Sequence, residues 1–160
     1  MGLINNLFKK IFGTNHQKVE PTTPTNDDYL AIWEKERQER IIAAEERLKG
    51  WVAKSLKEKG ILPFSWESGS DEAFVTFQDK TDADEENFQD LEEYIIDKLD
   101  IPDAGEFQMN GSGTIYIENN LVKAKYSSTI KTIIDFNEET EEEVFSEEEQ
   151  DSGDQVLFSL

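Results

Sequence analysis

The sequence predicts an α+β fold, with a long N-terminal helix and a second helix packed on one face of an antiparallel sheet in the order α–ββ–α–βββ, and with flexible termini. Three observations predict it. Apolar residues recur at three- and four-residue spacing in two separate stretches, as on the buried side of a helix. Short alternating or β-branched runs, bounded by Gly, Asn, Ser and Asp, follow each stretch. The two ends of the chain carry linker-like and acid-rich composition that cannot build a core.

The elements follow in chain order. Leu3, Ile4, Leu7, Phe8, Ile11 and Phe12 fill one half of a helical wheel and Asn5, Asn6, Lys9 and Lys10 the other, with Gly13 as a stop. Residues 1–13 are therefore an amphipathic helix, and residues 14–27, with Pro21 and Pro24, a linker. A long helix is expected over residues 28–59, capped by Asn26 or Asp27 and ended by Gly60. Its packing seam is Ile41, Ala44, Leu48, Trp51 and Ser55, while Leu30 and Trp33 are the only large anchors in its charged first half. Strands follow at 62–67 and 73–77 around the turn Ser68-Gly69-Ser70-Asp71, with Ala73, Val75 and Phe77 on one face.

A second helix begins near Thr81 or Asp82, each with an acid three residues on, as in a capping box. Its core face is Phe88, Leu91, Ile95 and Leu99, and Pro102 enforces its exit. Strands are expected at 106–109, turning at Asn110-Gly111, and at 114–118, turning at Asn119-Asn120, a dipeptide suited to a type I′ hairpin. The runs 121–127 and 129–136 complete an α+β domain over residues 28–136. Residues 137–160 read as an acidic disordered tail with an apolar tip.

Charge is the strongest functional signal. The chain has 160 residues and a formal net charge of -20. Residues 71–106 hold 14 acidic and 2 basic side chains, and residues 135–154 hold 11 acidic and none basic, so the remainder is slightly positive. Such a field repels nucleic acid and anionic lipid and attracts basic partners. There is no Cys, which removes disulfides and thiolate chemistry and suits a reducing cytoplasm. No apolar run approaches the ~20 residues that span a bilayer.

Glu86, Asp90, Glu93 and Asp97 form a stripe opposite the core face of the second helix. Like charges at that spacing oppose helix stability by roughly 0.2–0.5 kcal/mol per pair, which makes the stripe a candidate surface for a Lys/Arg-rich partner. Asp82, Asp84, Glu86, Asp90 and Glu93 also match the liganding positions of a calcium loop. Asn87 stands where the turn requires Gly, however, and a strand precedes the segment where a helix is required, so no metal is expected. The one histidine, His16, lies in the linker, which leaves the domain without a Ser–His or Cys–His pair. The Gly111–Gly113 region lacks the Lys and the following helix of a phosphate loop. In the tail, Val156, Leu157, Phe158 and Leu160 are candidate anchors for a partner.

These features point to a non-enzymatic, cytoplasmic binding protein without cofactors that neutralises or escorts a basic protein, in an immunity-, antitoxin- or chaperone-like role, and they exclude nucleic acid as a partner. The alternative is a membrane-peripheral adaptor. Leu3, Ile4, Leu7, Phe8, Ile11 and Phe12 would then make a weak membrane-surface contact, helped by Lys9 and Lys10; the same face could instead pack on its own domain or a second copy, or enter a groove of a partner protein. An enzymatic reading would require an acid-lined pocket beside Trp51 or Trp66. Homo-oligomerisation is left open.

Overall fold

The computed structural model describes residues 25–102 and 108–160. The expected amphipathic helix, nearly all of the linker, and Glu106 lie outside the described residues. The chain divides into two compact units, Met1–Ile32 and Trp33–Leu160.

Helix α1 spans Asn26–Lys59. Its cap is Thr25 rather than Asn26 or Asp27. The Thr25 amide donates to Asp28 Oδ2 at 2.8 Å and the Asp28 amide donates to Thr25 Oγ1 at 3.4 Å, so each side chain satisfies the other residue's backbone. The bond from the Thr25 amide holds the Asp28 carboxyl below the usual carboxylate range. Gly60 ends the helix in the left-handed region, at φ +86°, with its amide on the Leu56 carbonyl at 2.8 Å. Tyr29, Leu30 and Ile32 are exposed in the first unit. In the second, the buried seam is Ile41, Ala44, Leu48, Val52, Ser55 and Leu56. Trp51 sits at the margin of this seam. Its ring meets Phe88 edge-on at 4.9 Å and its indole N–H donates to Asp84 Oδ1 at 3.1 Å. Trp33, expected as an anchor, is half-exposed beneath the Arg37 guanidinium.

Strands β1 (Leu62–Gly69) and β2 (Glu72–Phe77) form a hairpin whose turn residues, Ser70 and Asp71, have φ of 54° and 64°, as a type I′ turn requires. The expected capping box at Thr81 or Asp82 does not close. A 3-10 turn, Asp82–Asp84, intervenes before helix α2 (Glu85–Lys98), and neither start has a side-chain cap. Helix α2 buries Phe88, Leu91, Tyr94 and Ile95. It exits through Asp100, at φ 53°, with the Ile101 amide on the Ile96 carbonyl at 3.0 Å.

The remaining strands are β3 (Gln108–Glu118), β4 (Leu121–Asn137) and β5 (Glu142–Ser159). The sheet is wholly antiparallel, in the order β2-β1-β3-β4-β5. Both helices contribute to one core with Leu62, Phe64, Trp66, Val75, Phe77, Ile115, Val122 and Ala124, whose positions alternate along their strands. The α–ββ–α–βββ order is therefore observed, with the helices on the buried face of the sheet.

Three expectations about the last strands are corrected. There is no turn at Asn110-Gly111, because β3 runs straight through. Gly111 and Gly113 are small because the rings of Trp66 and Phe64, on the neighbouring β1, occupy the space a Cβ would need. Residues 121–127 and 129–136 form one strand, since Ser128 stays in register with Gly111. The acidic tail forms β5, paired with β4 from Leu121↔Ser159 to Asn137↔Glu142. Ladder hydrogen bonds and burial of Leu157 and Phe158 outweigh the repulsion that its composition implies.

Candidate functional site

The α2 stripe does not face solvent as a unit. Asp97 accepts two bonds from Arg40, Nε and Nη2 each at 2.9 Å, and Asp90 accepts one from Arg47 Nε at 3.0 Å. Asp100 accepts a further bond from Arg37. The arginines stand on α1 at spacings of three and seven, and the aspartates on α2 and its exit run in the opposite direction at the same spacings. The two helices thus lie antiparallel with a charge ladder between them. Asp90 and Asp97 are paired with arginines of α1, and only Glu86 and Glu93 of the predicted stripe remain exposed. Lys98 Nζ donates to Glu45 Oε1 at 2.8 Å and extends the ladder. The cleft between the helices, about 330 Å³, is lined by the Arg40–Asp97 and Arg47–Asp90 pairs together with Glu93, Tyr94, Ala43, Ala44 and Ile96.

The apolar tip is likewise redistributed. Leu157 and Phe158 belong to the core and Leu160, partly buried, packs against it, so they hold the tail to its own domain. Val156 alone is exposed. Gly153 opposite Tyr126 gives the ring room, since a Cβ there would lie 2.9 Å from the Tyr126 hydroxyl.

The feature that sequence reasoning missed is the far end of the β4–β5 hairpin. Pairing of β3 with β4 begins at Gln108↔Lys131, so among the described residues 132–137 pair only with β5. The result is a two-stranded arm closed at residues 138–141, where Asn137 Oδ1 accepts the amides of Glu139 at 3.0 Å and Thr140 at 3.3 Å. Ile133 and Phe145 face each other across the arm, and a bulge follows at Ile134. The arm exposes Ile133 (54%), Ile134 (62%), Phe136 (52%), Val144 (40%) and Phe145 (40%). Around them stand Asp135, Glu138, Glu139, Glu141, Glu142, Glu143, Glu147, Glu148 and Glu149, with no Lys or Arg between 132 and 149. Among the described residues only Glu147 is ion-paired, to Lys131 at 3.1 Å. A signal was present in the sequence: the apolar run Ile133, Ile134 and Phe136 directly abuts the acid, and Val144-Phe145 interrupts it.

The sheet's outer face is ordered by polar contacts nearer the domain. Tyr116 Oη donates to Asp154 Oδ2 at 2.7 Å, and Lys123 Nζ bridges Glu118 and Asp154 at 2.8 and 3.4 Å. The Tyr116 bond, reinforced by Lys123, lowers the Asp154 carboxyl. Among the described residues no group of three or more His, Cys, Asp or Glu is placed to hold a metal ion. Among them, too, no helix is long and apolar enough to cross a membrane. Comparisons with protein-family models, with curated proteins and with solved structures return no match.

Proposed function

We propose that this chain is a non-enzymatic binding protein that neutralises or escorts a basic partner protein, as an immunity protein, antitoxin or chaperone does, and that the β4–β5 arm is its contact surface. The observation that carries this reading is the coincidence of five exposed apolar side chains with the most acidic segment of the chain on one two-stranded projection. Exposed apolar residues of this density mark contact surfaces. The surrounding carboxylates steer a cationic protein toward them and reject anionic ones, nucleic acid included. The lack of cysteine suits action in the reducing cytoplasm.

The test is capture from native lysate at low salt by the tagged full-length chain and by its Ile133→Ser/Phe145→Ser variant, with stepped salt elution. The reading expects one stoichiometric basic protein that leaves at moderate salt and is lost with the variant. Equal capture by both chains, or recovery of membranes alone, would contradict it.

A further inference from the structure

The β4–β5 arm presents an edge as well as a surface. β5 is 18 residues long and, among the described residues, is the last strand of the sheet and pairs on one side, with β4. Along residues 142–149 every position but Ser146 is exposed. An edge of this length is a ready template for another strand, and proteins blunt such edges with Lys, Pro or short strands. β5 contains neither Lys nor Pro. What it carries instead is uniform negative charge, which is selective protection. It repels a second copy of itself and any acidic segment, and it leaves the backbone open to a cationic one.

Strand alternation sorts the side chains that an added strand would meet. Glu143, Phe145, Glu147 and Glu149 stand on one face, and Glu142, Val144, Ser146 and Glu148 on the other. Both faces therefore offer acid at the ends and an apolar side chain in the middle. A two-stranded ribbon is marginally stable in water, and a third strand would complete it.

We propose that the free edge of β5 over residues 142–149 is a strand-addition site for an extended segment of the partner, rich in Lys or Arg and apolar at its centre. Main-chain hydrogen bonds would supply affinity, and cross-strand pairing of Lys or Arg with the glutamates would supply selectivity. This rests on the reading that the arm receives a basic protein, and it specifies how.

The test uses the isotope-labelled full-length chain at low salt and a synthetic peptide of lysines flanking a central Val-Val pair. A control peptide has the same side chains but is N-methylated at alternate residues, which preserves charge and removes strand pairing. The proposal expects the amides in 142–149 that point away from β4 to exchange about tenfold or more slowly with the first peptide, and binding of the control to be at least about tenfold weaker. Equal binding of both peptides with no change in amide exchange would overturn strand addition and leave the basic-partner reading standing. Binding of neither peptide would overturn strand addition and also count against that reading. Concentration-dependent protection of the same amides in the protein alone would assign the edge to a second copy and overturn the proposal.

Discussion

Gly111 lies beneath the indole of Trp66. The two are register partners on β3 and β1, and a Cβ at Gly111 would lie far inside van der Waals contact with three carbons of the ring, Cζ2, Cε2 and Cη2. The Trp66–Tyr126 contact, with ring centroids 6.1 Å apart, continues the layer onto β4. A large ring over a glycine on the adjacent strand allows the sheet and helices to close around Trp66 without a bulge.

Gly111→Ala should therefore destabilise the fold by about 1–3 kcal/mol, the usual cost of forcing an extra carbon into a packed core. Ser112→Ala, on the exposed face one residue away, should change stability by no more than about 0.5 kcal/mol. Urea unfolding of the two variants decides it, and equal effects would refute the ring-over-glycine account.

Leu157 and Val156 make the same comparison in the tail. Leu157 is 2% exposed and Val156 42%. Leu157→Ala should cost about 2–5 kcal/mol, whereas Val156→Ala should cost about 0.5 kcal/mol or less. Chemical denaturation of both variants tests whether the C-terminal segment belongs to the core.

Tyr94 gives the fold an alkaline limit. Its hydroxyl donates to Glu45 Oε1 at 3.0 Å and lies 3.1 Å from the Leu157 carbonyl oxygen. Burial first, and the Glu45 charge second, push the phenol well above its ordinary value. The folded state then keeps a proton that the unfolded chain releases. The stability tied to this group is whole below pH ~10 and is lost as pH rises beyond it. Tyr94→Phe should cost roughly 1 kcal/mol at neutral pH through the lost hydrogen bond, and should flatten the fall in stability above pH ~10. Denaturation midpoints across that range measure both effects.

The helix ladder should be modest in energy and distinct from partner binding. Arg40 and Asp97 are paired at 2.9 Å near the surface, so a double-mutant cycle with Arg40→Gln and Asp97→Asn should give a coupling of about 0.2–1 kcal/mol that shrinks in salt. Asp90→Asn and Asp97→Asn should leave partner capture unchanged, whereas neutralising Glu147, Glu148 and Glu149 should weaken it.

Much of the fold was legible because its signals are local. Gly60 as a helix stop, Asn119-Asn120 with φ of 51° and 65°, and the alternation of Ala73, Val75 and Phe77 each depend on a few neighbouring residues. The misreadings are non-local. Gly111 resembles a turn residue until Trp66, 45 positions earlier, is laid over it. Asp97 resembles a solvated acid until Arg40, 57 residues away, is placed opposite. The matched spacings of Arg37, Arg40 and Arg47 and of Asp90, Asp97 and Asp100 were available as a clue to that pairing. The tail's composition indicated disorder because composition contains no strand register. Its pairing partner is β4, whose Lys123, Lys125 and Lys131 stand opposite Val156, Asp154 and Glu147.

The central claim is that the acidic arm steers a basic protein onto its apolar side chains. The most direct measurement is the association rate of the captured partner with the full-length chain as ionic strength rises from about 50 mM to about 500 mM, over which the screening length contracts several-fold. The account predicts a steep fall in rate, with a shallower salt dependence for the Glu147→Gln/Glu148→Gln/Glu149→Gln variant. A rate unchanged by salt, or the same salt dependence in both chains, would contradict it.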